Sequence, residues 1–229
     1  MRLPCEVTCF LLVKNSMFVK MNPINSKKAV LCFLVAITLK ATAQKVDTII
    51  VTSAYTSYYS YKLHNPLYVV YKLYNGGGDC SRKAFRFKTN GLPHSASPTD
   101  YKGSGYDEGH LADAKDFAFD CIKEEETFRF YNCVPQTPKL NRGIWKHFET
   151  LIRKESQSDS LLIVCGSIFG NKTMGPDTIA IPDWCWKLAI SLTTKQVLNC
   201  FICPNDDSDS FEQLELTELK KKLSYPLRY

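Results

Sequence analysis

The chain has 229 residues, of which 45% are hydrophobic and 23% charged, which excludes a disordered polyelectrolyte and allows one domain with a sizeable core. The formal net charge of +6 misleads, because residues 1–43 hold six Lys/Arg and one acid, leaving 23 basic against 22 acidic residues beyond them. Global charge therefore gives no support to nucleic-acid binding, and any attraction for phosphate has to come from local patches.

Residues 29–39 form a short apolar run behind Lys27-Lys28, and Ala41-Thr42-Ala43 follows as a small-x-small cleavage site. This is the layout of a secretory signal peptide, and the run is too short to span a bilayer. The alternative, an uncleaved anchor, is weakened by Lys40 at the end of the run, and Cys32 follows Leu31 rather than the small residue a lipid-anchored cysteine needs. The expectation is an upstream extension and signal peptide over 1–43, with Met21 the economical start. A domain over 44–229 follows, secreted or periplasmic once cut near Ala43, with no stable membrane span. Nothing in the sequence fixes its oligomeric state.

Asp47–Val51 and Leu67–Leu73 are rich in β-branched and aromatic residues and read as strands. Asn75-Gly-Gly-Gly-Asp79 breaks the chain, and a basic segment with Arg82, Lys83, Arg86 and Lys88 follows. Thr127–Asn132 alternates as a strand. Leu161–Cys165, Ile179–Ile181, Trp186–Leu192 and Gln196–Cys203 read as further strands, and Leu216, Leu219 and Leu223 recur at helical spacing in the tail. Ile144, Phe148, Leu151 and Ile152 mark the apolar face of a helix after Asn141. Without a repeat, low-complexity tract or linker, this is one mixed α/β domain. Seven cysteines lie after residue 43, an odd number that cannot all pair within one chain. Cys200-x-x-Cys203 lies in a strand-like run with no second ligand pair, so buried or disulfide cysteines are expected rather than zinc ligands.

The stretch from Tyr106 to Lys154 organises the rest. It runs from Asp107-Glu108-Gly109-His110 through Asn132-Cys133-Val134-Pro135-Gln136 to Asn141-Arg142-Gly143-Ile144-Trp145, then Glu149 and Arg153. Of the four histidines only His110 follows a glycine and has an acid three residues before it. A histidine so placed can act as a general base near neutral pH. Along a continuous helix Asn141 and Glu149 would stand about 12 Å apart. Either the helix begins after Asn141, or Glu149 works through a water.

That order and spacing resembles the DNA/RNA non-specific endonucleases of the ββα-metal (His-Me finger) superfamily, from about Pro66 to Leu223. One hallmark residue departs: the family's Asp-Arg-Gly-His reads Asp-Glu-Gly-His here. The resemblance implies an α+β fold, a single mixed domain with a central antiparallel sheet and a ββα-metal finger. It implies a metal-dependent endonuclease hydrolysing phosphodiester bonds of DNA and RNA with little sequence preference. His110 would be the base, Asn141 the ligand of one Mg2+ (or Mn2+), and Glu149 the holder of metal-bound waters. Arg153 would lie near the scissile phosphate and Asn132 would support the site by hydrogen bonding. Arg82, Arg142 and the departing Glu108 would be the substrate-contacting positions.

Bland alternatives stand beside these roles. Glu149 and Arg153 also suit an i, i+4 surface pair, and the basic cluster at Arg82 also suits a solvated face. Glu108 would repel a nearby phosphate unless it pairs with a neighbouring Arg or Lys, and such pairing is the expectation. Were it to cripple hydrolysis, the alternative function is a nuclease-fold protein that binds nucleic acid or a partner.

Overall fold

The computed structural model describes residues 43–229, so the signal-peptide reading lies outside the described residues. Three strands open the described chain: β1 (Thr48–Val51), β2 (Thr56–Ser60) and β3 (Asn65–Leu73). After the site region come β6 (Leu161–Met174), β7 (Ile179–Ser191), β8 (Val197–Pro204) and the short β9 (Glu212–Gln213). These seven make one sheet in the order β1-β2-β3-β6-β7-β8-β9, antiparallel at every step. Its residues Leu161, Ile163, Cys165, Trp186 and Leu188 are fully buried and form the centre of the main core. Burial of this kind is the dominant favourable term in folding.

Between β3 and β6 lie the short helix α1 (Pro98–Tyr101), a two-stranded sheet of β4 (Asp107–His110) and β5 (Cys133–Gln136), and the helices α2 (Cys121–Glu126), α3 (Pro138–Leu140) and α4 (Lys146–Glu155). A tail helix, α5 (Leu216–Lys222), buries Leu219 in the core. Together they make a mixed α+β fold with a large antiparallel sheet, as expected. No helix among the described residues is long and apolar enough to cross a membrane.

Three strand expectations are corrected. Thr127–Asn132 is no strand: Thr127 ends α2, and Phe130–Asn132 curls into a single tight turn before β5. The Asn132 side chain takes over backbone groups that a ladder would need, which is how such residues compete with regular structure. Ile179–Ile181 and Trp186–Leu192 belong to one strand, β7, which passes Pro182 beside a register shift, where a residue without an N–H is tolerated. The Leu161–Cys165 strand runs on to Met174.

The helix after Asn141 is interrupted. Thr137 caps α3 by accepting the Leu140 N–H at 3.2 Å, with Pro138 in the first turn. The chain then widens through Asn141–Trp145, where Gly143 leaves helical geometry (φ −100°, ψ −113°), and α4 starts afresh at Lys146. Phe148 and Ile152 of α4 face the sheet, Phe148 stacking on Phe201 with ring centroids 3.5 Å apart.

Candidate active site

The pairing of β4 with β5 sets His110 against Cys133 and Gly109 against Val134. Gly109 is required here because a β-carbon would collide with the Gln136 side chain. The His110 backbone is pinned from the helical side, where Trp145 Nε1 donates to its carbonyl at 3.2 Å. The next two residues are pinned by Asn132. Its carbonyl accepts from Leu111 N–H at 3.0 Å and its side-chain oxygen from Ala112 N–H at 2.8 Å. Its amide donates to Ala112 O at 3.0 Å and Thr127 O at 2.9 Å. Asn132 is fully buried, so it positions the histidine loop and does not reach the cleft.

The His110 ring lies between Phe87 and Phe128, with centroids 4.6 and 4.7 Å away, and its Nε2 is buried without a partner. Burial pushes its pKa down to about 4; Asp113 works against this while Arg82 and Lys187 assist it. The imidazole is therefore neutral at neutral pH, the state a general base needs.

His110 borders a cleft of about 790 Å³ shared with Asn141, Glu149, Arg153, Arg142, Arg82, Asp113, Glu124, Lys115 and Lys146. The interrupted helix thus brings Asn141 and Glu149 to the same cleft from separate helical pieces. Asn141 is oriented by Asp107: its Nδ2 donates to Oδ2 at 2.9 Å, leaving the amide oxygen without a protein partner among the described residues. Asp107 also takes two bonds from Arg142, Nε at 2.8 Å and Nη2 at 2.6 Å. Burial opposes ionisation of Asp107, but these bonds outweigh it and hold the carboxyl below its ordinary range. Arg142 borders the cleft but is exposed and paired with Asp107, which fastens β4 to the helix, so a phosphate there would have to share it.

Behind the cleft lies a charged cluster. Lys187 of β7, 1% exposed, has Nζ 3.5 Å from Glu149 Oε1 and 4.7 Å from the centre of the Trp145 ring. Burial alone would lower the lysine pKa, but Glu149 and the neighbouring groups outweigh it and raise it. Glu149 is pushed up to about 8, by burial first and Asp113 next, with Lys187 and Arg153 pulling the other way. Arg153 is clasped by Asp113 Oδ2 and by Asp116 Oδ1, the latter at 2.9 Å. Tyr71 donates to the other Asp116 oxygen at 2.8 Å. Arg153 does border the cleft, but two carboxylates share its guanidinium, so a phosphate there would have to compete with them.

Sequence reasoning missed Lys187, Asp113, Asp116 and Glu124. A lone lysine in the apolar run Trp184-Cys-Trp-Lys-Leu-Ala-Ile190 was the available signal for the first. Arg82 does reach the cleft and makes no ion pair among the described residues. Glu108 departs from expectation. It does not border the cleft and makes no ion pair among the described residues, and burial, then Asp107, raise its pKa against a pull from Arg86.

Among the described residues no three His, Cys, Asp or Glu converge as a metal cage. A free amide oxygen on Asn141, in an open polar cleft that also holds Glu149, fits instead a hard divalent ion that keeps most of its waters.

The comparisons with known proteins agree with this geometry. The family model described as DNA/RNA non-specific endonuclease matches residues 36–225. The chain belongs to that family. Similar proteins include mitochondrial endonuclease G of Bos taurus, 28% identical over 71% of this chain and 61% of its own length. Mitochondrial nuclease EXOG of Homo sapiens is 30% identical over 64% of this chain and 45% of its own length. The match thus spans between about half and three-fifths of these relatives. The crystal structure of the EndoG/EndoGI complex superposes with a TM-score of 0.71 at 21% identity, covering 78% of this chain and 84% of that one, and so shares the fold.

Proposed function

We propose that this endonuclease-family chain hydrolyses phosphodiester bonds in DNA and RNA with little sequence preference, using one divalent ion, Mg2+ or Mn2+. The observation that carries this is the gathering of His110, Asn141, Glu149 and Arg82 around one cleft. His110, neutral and held by Trp145 and Asn132, takes the proton of the attacking water. The Asn141 amide oxygen and Glu149 would hold the ion directly or through its waters, the cation's charge favouring ionisation of a carboxyl that burial otherwise keeps protonated. When bound, the ion supplies Lewis-acid stabilisation of charge at phosphorus and on the departing oxygen. Arg82, Lys115 and Lys146 give the cleft a positive rim that takes phosphates of either nucleic acid, and phosphate contacts carry no sequence information. Nothing at Glu108 favours the alternative of a protein that only binds, because that side chain stands outside the cleft.

The proposed setting is outside the cytoplasm, secreted or periplasmic. The signal-peptide layout supports it, and so does the Cys80–Cys121 disulfide, since such bonds persist in oxidising compartments. The test is purified protein with supercoiled plasmid and with single-stranded RNA, in magnesium, with and without chelator. Cleavage of both substrates that the chelator abolishes is expected. No cleavage in magnesium or in manganese would overturn the proposal.

A further inference from the structure

Arg82 rides on a segment with almost no regular structure of its own, residues 74–97 between β3 and α1. Upstream of it the segment is fastened to the turn that follows His110. Gly77 N–H donates to Asp116 O at 3.4 Å, Cys80 N–H donates to Ala118 O at 3.1 Å, and Lys115 Nζ donates to Gly78 O. Gly78 lies so close to the Ala118–Phe119 backbone that a β-carbon would collide, and its φ of +125° excludes most other residues. The covalent tie is the disulfide from Cys80 to Cys121. Cys121 opens α2, which also carries Glu124, and Cys80, Arg82 and Glu124 border the same cleft. Downstream, Phe85 packs on Phe128 at 5.4 Å. Between these two anchors Arg82 makes only a local turn, its carbonyl accepting from Phe85 N–H at 3.0 Å.

We infer that the Cys80–Cys121 disulfide is a positioning element for the reaction: it holds Arg82 at the cleft, so affinity for nucleic acid depends on the redox state of this bond. The inference rests on the nuclease reading with Arg82 as a phosphate contact. The bond is open to exchange, because Cys121 is exposed, whereas the five free cysteines among the described residues are buried. A dithiol reductant would act in two displacements. Its thiolate attacks one sulfur and breaks the S–S bond, giving a mixed disulfide. Its second thiol then closes the reductant's own disulfide and releases the protein thiol. Two electrons and two protons pass to Cys80 and Cys121, which end as thiols.

The experiment compares oxidised protein, protein reduced with dithiothreitol and alkylated, and the Cys80→Ser/Cys121→Ser variant, each with its fold checked by far-UV circular dichroism. Steady-state cleavage of a short duplex is followed at several salt concentrations. Breaking the bond should raise KM roughly tenfold or more, the worth of one charge-assisted phosphate contact, with kcat changed little. The salt dependence should flatten by about one phosphate contact. Arg82→Ala should do the same, and adding it to the double-serine variant should change nothing further, since the two act through one contact. An unchanged KM, a fall in kcat alone, or effects that multiply would overturn the inference. So would loss of fold on reduction, which would make the bond a prop for the whole domain. If oxidised protein does not cleave at all, the nuclease proposal fails instead. Duplex binding by fluorescence anisotropy then still reads whether the disulfide sets affinity through Arg82.

Discussion

Replacing Lys187 with methionine removes the buried ammonium while keeping a long, unbranched side chain. At 3.5 Å from Glu149, a full pair of charges is worth about 5 kcal/mol at an effective dielectric near ~20. The Trp145 face adds roughly 1–2 kcal/mol for a desolvated cation. Desolvation of the ammonium offsets part of this, and breaking one side of a buried pair typically costs about 3–5 kcal/mol. The cost must depend on pH, because Glu149, pushed up to about 8, is largely protonated below that and ionised above it. A raised carboxyl pKa means its stability contribution is present below the unfolded-state pKa and is lost as pH rises through the folded one. Without Lys187 that loss deepens, since no other ion pair to Glu149 exists among the described residues. Urea unfolding of the variant should therefore show a deficit of about 3 kcal/mol or more at pH 9 and a clearly smaller one at pH 5. Adding Glu149→Gln should recover most of the deficit at pH 9. Equal deficits at the two pH values, or no recovery in the double variant, would refute the electrostatic account and leave Lys187 as packing alone.

His110→Ala should cost roughly 10²–10⁴-fold in cleavage rate with the fold kept, and near wild-type plasmid nicking would remove it as the base. With its pKa pushed down to about 4, the acid limb of kcat/KM that belongs to His110 should fall near that pH, and a limb near 6.5 would contradict the burial argument. Asn141→Ala should weaken metal binding in calorimetry, and excess magnesium should partly restore its activity. Unchanged metal binding would count against the ligand role. Glu108→Arg should leave cleavage and its salt dependence nearly unchanged, because the side chain stands outside the cleft and among the described residues no ion pair is lost at this position. Slower cleavage in initial-rate assays would show that the carboxylate has a partner after all.

Much of the site could be read ahead of the structure because its chemistry is carried by spacing. The order His110, Asn132, Asn141, Glu149 and Arg153 pointed, through the family it resembles, to a ββα finger, and all five fall in or directly beneath one cleft. The apolar stripe of α4 was equally plain, since Phe148 and Ile152 are buried as the period requires. What could not be read depends on partners distant in sequence. Arg153 looks like a free phosphate contact until Asp113 and Asp116, 40 and 37 residues away, close on it. The pairing of Cys80 with Cys121 is one of many that seven cysteines allow. Helix α2 (Cys-Ile-Lys-Glu-Glu-Glu) has no apolar stripe to announce it and is held by the Asp120 cap, whose side chain accepts from Ile122 and Lys123 N–H. The false strand at Thr127–Asn132 shares its alternation with real ones, and only the capture of Ala112 by the Asn132 amide tells them apart.

The remaining thiols carry a consequence for how the chain reaches this state. Cys185 and Cys203 face each other across β7 and β8, in register and both fully buried, yet they stay unbonded while the native bond joins positions 41 apart. Once folded they are nearly inert, because burial pushes Cys185 to about 11 and Cys203 to about 12, and the thiolate is the reactive form. In the unfolded chain that protection is missing, and each thiol ionises with an ordinary pKa. In oxidising surroundings, closing the sheet is therefore a race against the oxidant. Burying β7 and β8 before the oxidant reaches their sulfurs would keep both thiols free, while Cys121 stays exposed on the folded surface, where its bond to the half-buried Cys80 can still form.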